Sequence, residues 1–375
     1  MTTPKLFEPL TLRGLTLKNR VVISPMCQYS AYEGFVTDWH VGHLASFARG
    51  GAGLVFVEAT GVEARGRITY GCTGIWTDGH VPGYRRICET VKSLGSVPAI
   101  QLAHAGRKGS AQRPWHGNDA LTQEDFARGE MNWQTVSADA EPIFPHWVTP
   151  HALSVEEIGV VRDAYVRATK RALDAGFEVV EVHGAHGYLL NSFFSPLTNH
   201  RDDAYGGDAE RRMRLPLEIA EAVRAAWPDD KPLFYRVSAI DDVPGGIELE
   251  DTLALARELA ARGVDVIDCS SGGIADDETA DHEALGEGFQ VPYAARMRAD
   301  AGITSMAVGL IRRPEHAEEI VAQGQADLVA IGREALRDPH WALHAAETLG
   351  ADPEMAMWPE QYGWWLVRRK RAEGY

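Results

Sequence analysis

The chain has 375 residues, of which 45% are hydrophobic and 24% are charged, proportions that are typical of a globular protein. Its formal net charge of −16 argues against nucleic acid as a partner, because phosphate binding requires a basic surface. The apolar runs are shorter than the roughly 18 residues that a membrane span needs, and the first residues lack the apolar core of a signal peptide. These features predict a cytoplasmic enzyme that does not act on a membrane.

Short apolar, β-branched runs alternate with amphipathic stretches, a pattern typical of repeated βα units. Eight runs are predicted to be strands, at residues 21–23, 54–57, 97–102, 179–182, 233–237, 264–267, 305–308 and 328–331. The clearest helices are predicted at residues 155–175, 211–226, 249–261, 314–323 and 339–349.

Eight strands in βα alternation predict an α/β fold, a closed (β/α)8 TIM barrel whose active site is built at the carboxyl ends of its strands. The alternative, a doubly wound open sheet, would be expected to carry a G-x-G-x-x-G sequence after an early strand, and the chain lacks one. Ahead of the first strand, residues 6–10 and 15–17 flank an Arg13-Gly14 turn and are expected to form a hairpin that closes the bottom of the barrel.

We expect residues 1–375 to form a single domain with two additions to the barrel. The Trp- and Pro-rich segment at residues 106–150 follows the third strand and is unusually long for an irregular connection, so it is predicted to be a lid over the barrel mouth. Residues 351–375 are expected to form a C-terminal tail.

The most informative stretch is the run at residues 179–188, a predicted buried strand that ends in His183, His186 and Tyr188. Side chains of these types suit a site that binds an electron-rich oxygen and delivers a proton beside it. A tyrosine hydroxyl keeps its proton at neutral pH, so Tyr188 can act as a general acid. The alternative interpretation is a pair of satisfied core histidines beneath a buried tyrosine.

Polar residues and glycines follow other strands as well. Gln101 and Arg236, on the third and fifth strands, suit a heteroaromatic ring with carbonyl and N–H groups, although Arg236 could instead pair with a buried carboxylate such as Asp241 or Asp268. After the last two strands come the residues of a predicted phosphate site, since glycine lets backbone amides approach closely and arginine adds charge. They are Gly309, Gly332 and Arg333.

In the order in which they occur, many stretches of the chain resemble the Old Yellow Enzymes, the FMN-dependent ene-reductases, and in particular their thermophilic-like and xenobiotic reductase branch. The matching stretches are residues 5–9, 18–29, 38–40, 50–53, 58–60, 101–108, 183–188, 192–196, 202–207 and 331–333. The resemblance spans nearly the whole chain.

The resemblance implies a non-covalently bound FMN. The residues that would pack along its ring are Ser24, Pro25, Met26 and Cys27, with Cys27 expected to tune the flavin potential. The residues that would meet the polar edge of the ring are Ala59, Gln101 and Arg236. The residues that would bind its phosphate are Gly309, Gly332 and Arg333.

The resemblance also implies a reaction. The flavin would be reduced by NAD(P)H, with NADPH expected rather than NADH. The reduced flavin would then reduce the activated C=C bond of an α,β-unsaturated carbonyl or nitro compound. His183 and His186 would hold the substrate oxygen with Tyr29 beside them, and Tyr188 would be the proton donor.

The C-terminal tail departs from the family pattern. Trp364 occupies the place of an arginine that the thermophilic-like branch sends into a neighbouring subunit, and Trp365 matches a tryptophan of the xenobiotic reductases. Trp365, or otherwise Arg368, is therefore expected to enter the site of a partner in a homodimer or homotetramer.

The sequence leaves two alternatives to an ene-reductase open. One is a barrel that binds flavin without this turnover. The other is a metal-dependent barrel hydrolase that uses His183, His186 and His200, although the chain lacks an H-E-x-x-H motif and its four cysteines are widely scattered. The sequence predicts no metal site.

Overall fold

The computed structural model describes residues 3–275 and 285–373, and its elements are numbered here in chain order. The strands are β1 (Leu10–Leu12), β2 (Leu15–Leu17), β3 (Val21–Ile23), β4 (Leu54–Gly61), β5 (Val97–Ala103), β6 (Val136–Ser137), β7 (His151–Ala152), β8 (Val179–Gly184), β9 (Leu233–Ser238), β10 (Val266–Ser270), β11 (Thr304–Ala307) and β12 (Leu328–Ile331). The α-helices are α1 (Asp38–Arg49), α2 (Val81–Ser93), α3 (Gln123–Ala127), α4 (Val155–Ala175), α5 (Leu189–Phe194), α6 (Ala209–Ala226), α7 (Leu249–Ala261), α8 (Val291–Arg296), α9 (Pro314–Ala322), α10 (Arg333–Arg337), α11 (Trp341–Thr348) and α12 (Glu360–Glu373).

Eight strands close into a parallel barrel in chain order, which confirms the predicted (β/α)8 fold. Each strand pairs with the next, from β3 through β4, β5, β8, β9, β10 and β11 to β12, and β12 pairs again with β3. All of these pairings are parallel, so the carboxyl ends of the eight strands meet at one mouth.

The predicted strands are all found, with differences at their ends. β3 and β12 have the predicted bounds, whereas β4 continues past the predicted residue 57 to Gly61. Its last residues have no apolar alternation, but they pair with β5 through an irregularity between Val57 and Ala59. Pairing with a neighbour, which local sequence does not reveal, therefore lengthens this strand.

The helix α4 has the predicted bounds because its capping residues define them. Ser154 accepts a hydrogen bond from the Glu157 amide, and the Glu157 carboxylate accepts one from the Ser154 amide, a reciprocal capping box. The helix ends at Gly176, whose φ of 96° is left-handed. Its buried residues, spaced by three and four, pack on the outside of the barrel and include Ile158, Val161, Tyr165, Ala168 and Ala172.

The N-terminal hairpin has a different first arm from the one predicted. Leu10–Leu12 pairs antiparallel with Leu15–Leu17, whereas Lys5–Phe7 forms a single 3-10 turn. Its predicted role is confirmed, because Leu12 and Leu17 join the cluster of inward-facing residues at the amino ends of the barrel strands. The hairpin therefore closes the bottom of the barrel.

The segment at residues 106–150 contains α3 and β6 and packs on loops at the barrel mouth. The ring of Trp115 lies 5.9 Å from that of Tyr29, which follows β3. The indole N–H of Trp133 donates to the carbonyl of Arg65, which follows β4, at 3.0 Å. The segment thus lies at the barrel mouth after the third barrel strand, as predicted. Its function as a lid stays a prediction.

Among the residues that the structure describes, no helix is both long enough and apolar enough to cross a membrane.

Replacing Leu17 tests the closure of the barrel bottom. Leu17→Ala should lower the free energy of unfolding by about 2–5 kcal/mol, because it removes a fully buried side chain and leaves a cavity. Urea unfolding of the FMN-loaded protein measures the change. The matched control is Thr16→Ala on the same strand, since Thr16 is exposed. Equal stability of the two variants would show that the barrel does not depend on this contact.

Candidate active site

The strand β8 carries three predicted site residues to the barrel mouth, and the structure brings them together. The ring of His183 lies 5.1 Å from those of His186 and Tyr188, centroid to centroid, and nearly perpendicular to that of His186. His186 has a φ of 60°, an uncommon value for a residue other than glycine. Its amide N–H donates to the hydroxyl of Ser238 at 2.9 Å, which holds this conformation.

His183 is neutral, with its proton on Nε2. Burial, and then the positive charges of Arg236 and Lys108, lower the pKa of His183 well below its usual value. The Ala185 amide N–H donates to Nδ1 of His183 at 3.4 Å, so this nitrogen is the acceptor and Nε2 carries the hydrogen. The side chain can therefore donate one hydrogen bond from Nε2.

Lys108 places a positive charge beside Tyr188. Its ammonium lies 5.6 Å from the centroid of the Tyr188 ring. It donates to the backbone carbonyls of Gly273, at 3.0 Å, and of His186, at 3.3 Å. Lys108 belongs to a stretch that resembles the family, but the sequence did not suggest that it would lie against the predicted proton donor.

A layer of buried polar groups lies inside the barrel below this mouth. Gln101 donates to Glu181 at 2.8 Å, and Nε of Arg236 lies 3.2 Å from a carboxylate oxygen of Asp268. Burial raises the pKa of both Glu181 and Asp268, and the Asp268 charge raises that of Glu181 further. Arg236 therefore pairs with a buried carboxylate, as the alternative interpretation predicted, and the partner is Asp268. Arg236 also lines a cavity.

That cavity, of about 500 Å³, lies at the carboxyl ends of β10, β11 and β12. Predicted site residues that line it are His186, Arg236, Gly309, Gly332 and Arg333. Its volume lies within the usual range for small-molecule sites. Other lining residues, to which the sequence analysis assigned no role, include Ser270, Phe289, Gln290, Arg312 and Arg337.

The residues of this cavity fit the phosphate end of FMN. Gly309 and Gly332 lack the side chains that would keep a ligand away from the backbone, and Gly309 has a φ of 117° that glycine adopts readily. Arg333 stands at the start of α10, and Arg312 and Arg337 also line the cavity. Glycine backbone with clustered arginines is the donor set that a phosphate requires.

The loop after β3 lies against the phosphate end of the cavity. The hydroxyl of Ser24 is 3.4 Å from Nη1 of Arg236, and Ser24 and Met26 both lie about 4 Å from where a side chain on Gly332 would begin. Pro25 and Cys27 continue this loop. Ser24 and Met26, which were predicted to pack along one ring, thus lie beside the predicted phosphate residues.

Tyr29 lies at the end of this loop. Burial raises the pKa of Tyr29 far above its usual value, and Cys27 and then Tyr188, the predicted proton donor, contribute to the rise. Burial, and then Glu58, also raise the pKa of the Cys27 thiol well above its usual value. Both groups therefore keep their protons at neutral pH.

A buried contact between Glu58 and His40, which sequence reasoning did not assign to the site, holds this loop. The Glu58 carboxylate lies 3.2 Å from Nε2 of His40, and both side chains are 2% exposed. Glu58 also accepts a hydrogen bond from the amide of Gln28 at 3.1 Å, while Nδ1 of His40 accepts one from the amide of Thr37 at 2.9 Å. Burial raises the pKa of Glu58, and His40 opposes that rise.

Other predicted residues do not line the cavity. Ala59 and Tyr188 line a small gap of about 10 Å³ between the loops after β4 and β5. Trp365 lies on α12 and is 66% exposed, so it does not join the site of its own chain. His200 pairs with Asp139, and the two clusters of possible metal ligands among the described residues include neither His183 nor His186. The three-histidine metal site is therefore not formed in that part of the chain.

Comparison with known proteins gives concordant matches. The family described as "NADH:flavin oxidoreductase / NADH oxidase family" matches residues 5–352. Proteins named NADPH dehydrogenase from Geobacillus sp. (strain WCH70) and Bacillus subtilis (strain 168) are each 42% identical over 96% of this chain and over 98% and 99% of their own lengths. The solved structure of the old yellow enzyme homologue from Zymomonas mobilis has a TM-score of 0.75 at 25% identity, covering 92% of this chain and 93% of that one. Morphinone reductase has a TM-score of 0.74 at 27% identity, covering 92% and 90%.

Removing Glu58 tests the buried contact that holds the loop. Glu58→Ala should lower the free energy of unfolding by about 1–3 kcal/mol, because it leaves the buried imidazole of His40 and the Gln28 amide without their partner. The matched control is Asp38→Ala, which breaks an exposed pair with Arg86 and should cost less than about 1 kcal/mol. A Glu58 variant as stable as the control in urea unfolding would contradict the assignment.

Proposed function

The chain belongs to the NADH:flavin oxidoreductase / NADH oxidase family, to which the Old Yellow Enzymes belong, and we propose that it is an ene-reductase for α,β-unsaturated carbonyl and nitro compounds. It is an oxidoreductase with FMN as cofactor and NAD(P)H as electron donor. The observation that carries the finer proposal is the convergence of His183, His186 and Tyr188 beside a cavity suited to FMN.

FMN, when bound, supplies hydride transfer, first as acceptor from NAD(P)H and then as donor to the substrate. We propose that Gly309, Gly332 and Arg333 hold its phosphate, in agreement with the glycine and arginine lining of the cavity. The residues proposed to meet its ring are Ser24, Pro25, Met26, Cys27, Ala59, Gln101 and Arg236. The name NADPH dehydrogenase of the relatives favours NADPH over NADH.

The two histidines are proposed to bind the substrate oxygen. A neutral imidazole donates a single hydrogen bond, and the lowered pKa of His183 keeps it in this form at neutral pH. Hydrogen bonds from His183 and His186 would draw electron density toward the carbonyl or nitro oxygen and make the β-carbon electrophilic. Tyr29, whose raised pKa keeps its hydroxyl protonated, would flank the same oxygen.

Tyr188 is proposed to protonate the α-carbon once the β-carbon has received hydride. The Tyr188 O–H bond breaks, a C–H bond forms at the α-carbon, and the phenolate regains a proton from solvent. The ammonium of Lys108, 5.6 Å from the ring centroid, would stabilise the transient phenolate. A barrel that only binds flavin would have no use for these donors, which argues against that alternative.

We further propose that the chain acts as one domain in which residues 106–150 cover the bound substrate. This segment lies against Tyr29 through Trp115 and against the loop after β4 through Trp133. Both contacts lie at the barrel mouth, where a cover would exclude water from the reaction.

The C-terminal tail is proposed to complete the site of a second copy in a homodimer or homotetramer. On α12, Trp364 and Trp365 are 51% and 66% exposed, and Arg368 stacks on the ring of Trp364. Such exposed aromatic and arginine side chains are typical of protein interfaces.

Replacing the proton donor tests the proposed reaction. Tyr188→Phe should keep reduction of the flavin by NADPH and slow its reoxidation by cyclohexenone by about 100-fold or more, because only the second half-reaction needs the proton. Anaerobic stopped-flow absorbance of the flavin measures both half-reactions. The control is Tyr32→Phe, since Tyr32 is 73% exposed. Reoxidation of the Tyr188 variant at the wild-type rate would refute its role.

Removing the tail aromatic tests the proposed interface. Trp365→Ala should change the KM for cyclohexenone by about threefold or more if its ring enters a partner site, while the barrel stays folded because this ring is exposed. Steady-state kinetics and gel filtration measure the effect, with Tyr32→Ala as the exposed aromatic control. Kinetics and assembly identical to those of the wild type would place Trp365 outside the site.

A further inference from the structure

We infer that Ser270 and Gln290 are positioning residues that hold the proton of His186 on Nδ1 and so decide which nitrogen of this side chain donates to the substrate. The inference deepens the proposed function and rests on it, since it assumes that His186 binds the substrate oxygen. The sequence could not show this contact, because Ser270 and Gln290 lie far from His186 along the chain.

Close backbone packing sets the distance between His186 and Ser270. His186 follows β8 and Ser270 is the last residue of β10, and β9 lies between these two strands. A Cβ added to Gly273 would lie 2.7 Å from Cα of His186, and one added to Gly187 would lie 2.2 Å from the carbonyl of Gly273. The two loops therefore touch backbone to backbone, which only glycine permits, and the Ser270 hydroxyl lies 2.6 Å from Nε2 of His186.

The direction of this hydrogen bond follows from Gln290. Its side-chain nitrogen lies 3.2 Å from the hydroxyl of Ser270 and 2.9 Å from that of Ser271. An amide NH2 group only donates, so the Ser270 oxygen accepts from Gln290. The buried hydroxyl of Ser270 also needs an acceptor for its own hydrogen, and among the contacts of the described residues Nε2 of His186 is the acceptor within reach, so Ser270 donates to it. A neutral imidazole that accepts at Nε2 carries its hydrogen on Nδ1.

The two histidines then donate from opposite nitrogens. His183 accepts from the Ala185 amide at Nδ1 and so donates from Nε2, whereas His186 accepts at Nε2 and donates from Nδ1. Their rings stand 88° apart, which allows unlike nitrogens to approach one oxygen. In the other tautomer, His186 would carry a lone pair on Nδ1, which would repel that oxygen.

The tautomer of His186 can be measured without any substrate. In oxidised holoenzyme labelled with ¹⁵N at histidine, long-range ¹H–¹⁵N correlation spectra distinguish Nδ1–H from Nε2–H, and a His186→Gln variant assigns the signals. We expect Nδ1–H in the wild type and in Ser270→Thr, which keeps the hydroxyl. Ser270→Ala should give a mixture of tautomers, and Gln290→Met should shift the population in the same direction.

Binding of p-hydroxybenzaldehyde, followed by its charge-transfer absorbance with the flavin, gives the functional readout. Ser270→Ala should weaken binding about tenfold, as expected for one misdirected hydrogen bond. Ser270→Thr should restore the affinity. The matched control is Ser271→Ala, which removes the neighbouring hydroxyl bonded to the same amide but not to His186, and it should stay within about twofold of the wild type.

The outcomes separate this inference from the proposed function. Unchanged phenol binding in His183→Ala would refute the proposed oxygen site, whatever the tautomer of His186. An Nε2–H signal in the wild type, or an unaltered tautomer in Ser270→Ala, would refute the relay while leaving the oxygen site in place. An equal loss of affinity in Ser271→Ala and Ser270→Ala would show that the serines only pack the loop.

Discussion

The backbone pairing that closes the barrel between β12 and β3 is the constraint on which the site depends. Residues 21–23 pair with residues 329–331, and the amide of Ser24 donates to the carbonyl of Ile331 at 3.0 Å. This closure joins the start of the chain to its last strand and sets the loop of Ser24 beside Gly332. Without it, the proposed ring-binding and phosphate-binding residues would lie at opposite edges of an open sheet.

The barrel interior below the mouth holds ionisable groups that a core selected for stability alone would not need. Arg236, Asp268 and Glu181 are buried, and a buried ion costs several kcal/mol unless its partners compensate, which is why burial raises the pKa of both carboxyl groups. The arrangement nevertheless places a cation at the wall of the cavity and helps to keep His183 neutral, since burial and then the charge of Arg236 lower the pKa of His183. The same electrostatic field thus serves both the proposed flavin site and the proposed oxygen site.

Much of this could be predicted from the sequence, with misses that share a cause. The βα alternation predicted all eight barrel strands, and the residues of β8 predicted the group of His183, His186 and Tyr188, because these features are local. The first strand of the hairpin was predicted to begin at residue 6, whereas apolar residues 6 and 7 form a buried 3-10 turn and the strand begins at Leu10. The Glu58–His40 pair and the contact of Ser270 with His186 were missed, because each joins residues from different βα units.

The sequence by itself determined the periodicity of the elements, the capping of helices such as α4 and the chemistry available at each strand end, because those properties depend on neighbours within a few residues. Tertiary structure alone decided which strand ends face one another, which histidine nitrogen accepts a hydrogen bond and which way the pKa of each buried group is shifted. These properties depend on the distance to groups from distant parts of the chain and on exclusion of water, and both arise only when the barrel closes.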